Sequence, residues 1–162
     1  MASTDFPVTT AIRMLRDRAI SYTPHLYPFE EHGGTAHAAA SLGVDEHCVI
    51  KTLVMQTDER TPLIVLMHGD REVSTKQLAR AIGAKRVEPC DPATVTRVTG
   101  YMVGGVSPFG TRTRVRVFAE RTVLDLPRLF INGGKRGFLV EITPVQLVTA
   151  LSPEPVDVAI TP

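Results

Sequence analysis

The sequence is poor in cysteine, has almost no excess of either charge and contains no long apolar run. Its 162 residues include two cysteines, Cys48 and Cys90, too few for a disulfide framework, which favours a reducing, cytoplasmic location. No apolar stretch approaches the ~20 residues that span a bilayer. Residues 1–8 lack a basic segment followed by an apolar one, so we expect no secretory signal.

The charge balance limits what the protein can bind by itself. The formal net charge is +1, whereas a strong independent nucleic-acid binder usually carries a clear basic excess. Any contact with a polyanion must therefore come from a local basic patch. Hydrophobic residues make up 43% and charged residues 22% of the chain, which is typical of a folded globular protein. We expect one domain spanning 1–162.

The common catalytic and metal-binding motifs are missing. The five histidines show no metal-ligand spacing, and neither G-x-S-x-G nor H-E-x-x-H occurs. Neither cysteine has a recognisable catalytic context. We therefore expect no metal, no cofactor and no nucleophile–base pair.

Short helices and strands are interspersed along the chain. Capping residues and apolar periodicity predict helices after Thr9 or Thr10, after Thr35, and at 74–83, 91–100 and 143–151. Alternating or continuous apolar runs predict strands at 22–29 (an edge strand), 48–57, 63–68, 86–88, 101–106, 112–118, 129–131 and 138–142, with an extended tail. Because several strands are joined as hairpins, we expect an α/β (α+β) domain with a mixed sheet.

Lys51 is the first candidate functional residue. It lies in the predicted strand 48–57, whose two faces are both apolar, so this strand should be central in the sheet. A lysine there must find a partner, reach water or lose its charge. Either it holds an anion or a polarised oxygen at the end of the sheet, or its stem extends to solvent. The pattern alone leaves both open.

Two glycine-rich segments are further candidates. In 104–110, adjacent glycines allow close approach of the backbone to a ligand, so this segment is an oxyanion-binding loop or an ordinary turn. Segment 132–137 carries two cations and either contacts phosphate or forms a tight hairpin. It is not a Walker A motif, because Leu129 stands where the first glycine would be.

Arg112, Arg114 and Arg116 alternate along the predicted strand 112–118 and would form a basic stripe on one side. Such a stripe can follow a nucleic-acid backbone, or it can be a solvated face of the sheet.

Five segments taken together resemble the YbaK/EbsC family, which is related to the editing domain of bacterial prolyl-tRNA synthetases. They are 10–15, 50–54, 78–87, 99–110 and 133–137, and they cover almost the whole chain. The resemblance implies a mixed, barrel-like sheet flanked by short helices. It also implies hydrolysis of the ester between a mischarged amino acid and the terminal adenosine of a transfer RNA, with Cys-tRNA(Pro) as the expected substrate.

The resemblance, together with the glycines and charges of these segments, suggests roles for individual residues. Lys51 is the central site residue, and we expect the Gly104–Gly105 backbone to stabilise the oxyanion. The residues expected to line the substrate site are Tyr27, Thr52, Val106, Ser107, Pro108, Asn132, Gly133 and Gly134. Those expected to contact the CCA end of the transfer RNA are Arg112, Arg114, Lys135 and Arg136. Prolyl-tRNA synthetase is the expected protein partner.

Two departures from the family pattern keep alternatives open. Some relatives that act on cysteinyl-tRNA have serine at the position of Asn132 and aspartate at that of Leu139. Loss of this carboxylate leaves the edited amino acid open. It also favours the alternative of a non-catalytic module that binds an aminoacyl or nucleotide group. In the catalytic alternative, water or the substrate's own thiol attacks the ester.

Overall fold

The computed structural model describes residues 5–162, so part of the segment interpreted above as lacking a secretory signal lies outside the described residues. Within that range the chain forms a mixed sheet flanked by short helices. The helices are α1 (Thr10–Asp17), α2 (Gly34–Leu42), α3 (Thr75–Ile82), α4 (Pro92–Thr99) and α5 (Pro144–Leu151). No helix among these residues is long and apolar enough to cross a membrane.

The strands belong to one large sheet and one small one. They are β1 (Thr23–Leu26), β2 (Val49–Thr57), β3 (Pro62–His68), β4 (Glu72–Val73), β5 (Val87–Pro89), β6 (Arg116–Glu120), β7 (Leu129–Lys135), β8 (Phe138–Ile142), β9 (Glu154–Val156) and β10 (Ala159–Ile160). The large sheet has the order β1-β8-β7-β2-β3-β6-β9, with β5 also paired to β2, and β4 pairs with β10. The predicted mixed sheet, the central position of β2 and the edge position of β1 are confirmed.

Both faces of β2 are covered, which explains its nearly continuous apolar sequence. Ile50 and Val54 pack in the main core with Ile12 and other residues of α1. Met55, on the opposite face, packs with Leu78 of α3. Hairpins join β2 to β3 and β7 to β8, whereas β2 runs parallel to β7. The parallel pair brings the start of β2 next to the glycine-rich part of β7.

Most predicted helix ends are confirmed, because their caps are local. The side-chain caps are Thr9, Ser74, Asp91 and Thr143, and the left-handed glycines at helix ends are Gly43, Gly83 and Gly100. The prediction that Thr35 caps α2 was wrong. Gly33 is the N-cap without a side-chain bond, and the Thr35 hydroxyl donates to Glu46 at 2.7 Å.

One predicted strand is absent, and two others have different bounds from those predicted. Residues 101–106 form turns, because the backbone bonds locally there, from the Gly105 amide to the Met102 carbonyl, and joins no ladder. Strand β6 begins at Arg116, so Arg112 and Arg114 lie in the preceding irregular segment and do not form a strand stripe. Strand β7 continues through Asn132 to Lys135, with an irregular register, where a loop was expected.

Candidate active site

A gap in the sheet creates the candidate active site. On one edge, β2 pairs with β7 at Val49 and Ile50 and with β5 from Met55 onward. Residues 51–54 have no strand on that edge, and a cavity of about 440 Å³ opens there. It is lined by Ile50, Lys51, Thr52, Leu53, Val54, Met55, Pro89, Cys90, Pro92, Val95, Val103, Gly104, Val106 and Asn132. The cavity is therefore mostly apolar with a few polar groups, as ligand sites usually are.

Thr52 lies at the centre of this gap. The Val54 carbonyl accepts a hydrogen bond from the Cys90 amide at 3.1 Å, so the backbone groups of residue 54 point to the open edge. Main-chain groups two residues apart point to the same edge of a strand, so those of Thr52 face the cavity. The Thr52 hydroxyl is buried and has no hydrogen-bond partner among the described residues. An unpaired buried hydroxyl is unfavourable, so this hydroxyl is a candidate partner for a polar group bound in the cavity.

Lys51 lines the cavity from the neighbouring position of β2. Its ammonium group donates a hydrogen bond to the main-chain carbonyl of Arg71, in the turn after β3. Burial lowers the pKa of the Lys51 amine, and three nearby carboxylates oppose this shift, those of Glu72, Glu46 and Asp70. The ammonium is thus partly desolvated and held by a neutral acceptor, which a negatively charged or polarised oxygen can replace.

The loop after α4 forms the opposite wall and is fixed at both ends. The Tyr101 hydroxyl bonds to the Phe109 carbonyl and lies 2.8 Å from the Thr10 hydroxyl. The Gly105 amide donates to the Met102 carbonyl at 2.8 Å. Gly104 has φ +93°, a conformation that favours glycine, and it borders the cavity. A fixed loop presents its backbone to a ligand without further reorganisation.

Strand β7 and the turn after it supply the residues that attach this loop to the sheet. The Asn132 side-chain amide donates to the Gly104 carbonyl at 3.3 Å, and its oxygen accepts from the Gly134 and Lys135 amides at 2.6 and 3.1 Å. The Arg136 guanidinium donates to the Val103 carbonyl at 3.0 Å. The predicted glycine segments 104–110 and 132–137 are therefore joined directly.

The structure brings some predicted site residues to the cavity and places others elsewhere. Lys51, Thr52, Gly104, Val106 and Asn132 line it together. Tyr27, Lys135 and Arg136 line a neighbouring depression, while Pro108, Arg112 and Arg114 line a separate one near α5.

The remaining predicted residues act in packing. The Ser107 hydroxyl accepts from the Phe109 amide at 3.2 Å. A Cβ on Gly105 would lie 2.7 Å from the Arg136 amide nitrogen, and one on Gly133 or Gly134 would meet the Phe138 or Tyr101 ring. These glycines permit close packing behind the cavity wall.

Sequence reasoning missed the wall formed by β5 and α4. Cys90, Pro92 and Val95 line the cavity, and burial raises the pKa of the Cys90 thiol. No sequence pattern connects them to Lys51, because the contact depends on β5 pairing with the far end of β2. The structure also groups His47, His68 and Asp70, which sequence spacing did not suggest. Both ring nitrogens of His68 already contact oxygens and its ring stacks on that of His47 at 3.7 Å, so this group is arranged for hydrogen bonding.

Comparison with known proteins identifies the family. The sequence model of the aminoacyl-tRNA editing domain family matches residues 30–150, a segment that contains all of the cavity lining. The chain belongs to the aminoacyl-tRNA editing domain family. The predicted family relationship is confirmed, and with it an editing hydrolase that deacylates aminoacyl-tRNA.

The relatives of this editing domain fall into two groups by length. The candidate Cys-tRNA(Pro)/Cys-tRNA(Cys) deacylase EbsC of Enterococcus faecalis is 28% identical over 87% of this chain and 87% of its own length. The proline–tRNA ligase of Brachyspira hyodysenteriae is 33% identical over 53% of this chain but only 15% of the ligase. The match to the ligase therefore covers one part of a much longer protein.

Solved structures share the fold of this editing domain. A hypothetical protein superposes with a TM-score of 0.86 at 25% identity, covering 94% of this chain and 100% of the other. A candidate trans-editing enzyme for prolyl-tRNA synthetase superposes with a TM-score of 0.84 at 21% identity, covering 96% and 99%. The second likeness shows the fold alone.

Proposed function

We propose that this editing domain acts in trans on Cys-tRNA(Pro), releasing cysteine from the transfer RNA. The observation that carries the proposal is the cavity at the gap in β2, which Lys51, Thr52 and Gly104 line. The similarity to EbsC over most of both chains supports this substrate class. A cytoplasmic location remains a prediction.

The backbone of the 101–106 turn is proposed to stabilise the developing oxyanion. The Gly105 amide is already bonded to the Met102 carbonyl. Among the described residues, the Gly104 and Val106 amides have no acceptor, and both residues line the cavity. Preorganised amides of this kind are worth 10²- to 10³-fold in rate each. The proposed oxyanion site is therefore Gly104 and Val106, and Gly105 serves to fold the turn.

Lys51 and Thr52 are proposed to hold the ribose side of the ester. The Lys51 ammonium would exchange the Arg71 carbonyl for an oxygen of the terminal nucleotide and add positive potential where negative charge develops. The Thr52 hydroxyl would then gain the partner that it lacks in the free protein. Both groups lie on a strand, which holds them more precisely than a loop would.

The attacking group is proposed to come from the substrate or from water. Attack by the substrate's thiol forms a C–S bond to the ester carbon and breaks the C–O bond to the ribose, whose oxygen takes up the thiol proton. The product is a cyclic thioester, which water then opens to free cysteine. Attack by water forms the free acid and the same ribose hydroxyl. An aminoacyl ester is already activated, so neither route needs a protein nucleophile.

Binding of the transfer RNA is proposed to be local. Lys135 and Arg136 are exposed beside the cavity and would meet the CCA end. Arg112 and Arg114 lie at the separate depression and would contact only more distant phosphates. With a net charge of +1, the domain would rely on prolyl-tRNA synthetase to hold the rest of the transfer RNA.

One observation favours a second candidate function, a binding module without turnover. Leu139, where some relatives have a carboxylate, is buried in an apolar cluster with Ala38, Ala39, Val49 and Phe130. The domain therefore has no acid at this position to assist catalysis. A binding module would retain the cavity and lose the reaction.

The test is single-turnover deacylation of tRNA(Pro) charged separately with cysteine, alanine or proline, each compared with spontaneous hydrolysis. We expect rapid release of cysteine and no release of proline. Release of alanine instead would show that the domain is a deacylase with a different substrate. Tight binding of the charged transfer RNAs with no release above the spontaneous rate would favour the binding module.

A further inference from the structure

An exposed aromatic–arginine pair borders the cavity. The Arg136 guanidinium carbon lies 5.1 Å from the centre of the Phe29 ring, within the range of a cation–π contact. A Cβ on Gly104 would lie 3.1 Å from Arg136 Nε and 3.3 Å from Phe29 Cε2, so both side chains reach the edge of the cavity. Phe29 nevertheless leaves 40% of its surface exposed.

Two exposed apolar side chains extend the same surface. Met102 and Val103 leave 64% and 47% of their surfaces in solvent, and the Val103 carbonyl accepts the Arg136 guanidinium hydrogen bond. An apolar surface beside a cation suits a planar heterocycle attached to a phosphate. We call Phe29, Met102, Val103 and Arg136 the rim platform.

The Arg136–Phe29 pair differs from similar arginine–aromatic pairs in the structure in what surrounds the charge of its arginine. Arg116 lies over Phe118 and Arg128 over Phe130, but each also forms an ion pair, with Glu154 at 2.8 Å and Glu141 at 3.3 Å. Within residues 5–162, no carboxylate lies within salt-bridge distance of Arg136. Its charge is therefore available to an anion from outside the protein.

From this arrangement we propose that the rim platform stacks the base of the terminal nucleotide of the transfer RNA. The inference rests on the proposed function, because an ester in the cavity places its own nucleoside at the cavity edge. Phe29 and the outer face of Arg136 contact the base, while Arg136 and the neighbouring Lys135 contact phosphate. Stacking is tolerant of base identity, so the platform provides affinity and orientation.

The test measures binding of AMP and of ribose 5-phosphate, which lacks the base, by NMR titration. Phe29→Leu keeps an apolar side chain at a half-exposed site and removes the ring; we expect it to weaken AMP binding about 5- to 150-fold and to leave ribose 5-phosphate binding unchanged. Phe29→Tyr should bind AMP like the wild type. Arg136→Ala should weaken both ligands, and the matched control Arg116→Ala should weaken neither.

AMP binding that is undetectable in the wild type, or equal in the wild type and Phe29→Leu, would overturn the proposal. Equal weakening of AMP and ribose 5-phosphate by Phe29→Leu would also overturn it, because it would show a structural role. These titrations require no turnover. A protein that shows the Phe29 dependence but deacylates nothing would contradict only the proposed function, and a deacylase without that dependence would contradict only the platform.

Discussion

Asn132 and Gly104 are 28 positions apart in the chain, yet the side-chain amide of the first donates a hydrogen bond to the carbonyl of the second at 3.3 Å. The Asn132 oxygen simultaneously accepts two amides of its own strand. One side chain therefore fixes the turn that carries the proposed oxyanion donors against the sheet that carries Lys51 and Thr52.

Asn132→Asp separates the donor role of this side chain from its acceptor role. Aspartate retains the oxygen that accepts from the Gly134 and Lys135 amides but loses the amide that donates to Gly104. It also places a carboxylate oxygen against the Gly104 carbonyl oxygen, and the two repel each other. We expect the free energy of unfolding to fall by no more than about 1 kcal/mol, because one hydrogen bond near the surface is lost. We expect deacylation to slow 10- to 100-fold through misplacement of the turn. Urea denaturation and single-turnover assays measure the two effects, and an unchanged rate would refute the role of this contact.

Gly104→Ala tests the need for glycine at the cavity edge. The added Cβ strains a residue at φ +93° and contacts Arg136 and Phe29. Gly83→Ala is the matched control, since Gly83 has φ +75° but no atom within 4 Å of the added Cβ. We expect both variants to lose about 1 kcal/mol of stability and only Gly104→Ala to lose deacylation, by 10- to 100-fold. Equal deacylation rates in Gly104→Ala and Gly83→Ala would contradict the placement of the reaction at this cavity.

Thr52→Val removes the buried hydroxyl that has no partner. In the free protein this change should leave the free energy of unfolding equal or raise it by up to about 1 kcal/mol, because an unsatisfied polar group disappears. Deacylation should nevertheless slow, because the bound substrate loses its hydrogen bond to the Thr52 hydroxyl.

Thr99→Val is the control for Thr52→Val. The Thr99 hydroxyl is buried and bonded to the Val95 carbonyl at 2.7 Å and the Tyr101 amide at 3.1 Å. We expect Thr99→Val to lower the free energy of unfolding by about 1–3 kcal/mol. If Thr52→Val were destabilised to the same extent, the Thr52 hydroxyl would have an intramolecular partner and the interpretation would be wrong.

Glu120→Gln tests a buried carboxylate that anchors the C-terminal segment. Its oxygens accept from the Thr122 amide and hydroxyl and from the Val158 and Ala159 amides. Burial raises the pKa of Glu120, but these hydrogen bonds outweigh it and hold the pKa below the usual 4.5. A lowered folded-state pKa stabilises the fold above pH 4.5, and this contribution is lost as pH falls below that value.

We expect Glu120→Gln to lower the free energy of unfolding at pH 7 by about 2–4 kcal/mol, since a charged acceptor is removed from several donors. The variant should also lose less stability than the wild type on acidification below pH ~4.5. The control is Glu59→Gln, at an exposed position in the turn between β2 and β3. Parallel pH profiles for Glu120→Gln and the wild type would show that the carboxylate is not the titrating group.

Features that depend on near neighbours in sequence were predicted well. The caps at Ser74, Asp91 and Thr143 need only a few residues of local geometry. The β2–β3 hairpin follows from two apolar runs separated by a short polar turn. Lys51 and Gly104 could be singled out as candidates because each stands out in its own segment, and both line the cavity.

Features that depend on distant pairing were not predicted. The gap at residues 51–54 arises because β7 and β5 reach the same edge of β2 from opposite ends, so Cys90 joins the wall. The expected stripe of Arg112, Arg114 and Arg116 failed because alternation in sequence gives one face only if a strand forms. The segment 112–115 finds no strand partner.

The most direct test of the central claim is the single-turnover rate of cysteine release from Cys-tRNA(Pro) by Lys51→Ala, with the exposed Lys76→Ala as the control. Within residues 5–162 the Lys51 ammonium bonds only a main-chain carbonyl, so its removal should leave the fold intact by circular dichroism. We predict a loss of at least 100-fold in rate for Lys51→Ala and none for Lys76→Ala. Cysteine release at the wild-type rate by a folded Lys51→Ala protein would contradict the assignment of the reaction to this cavity.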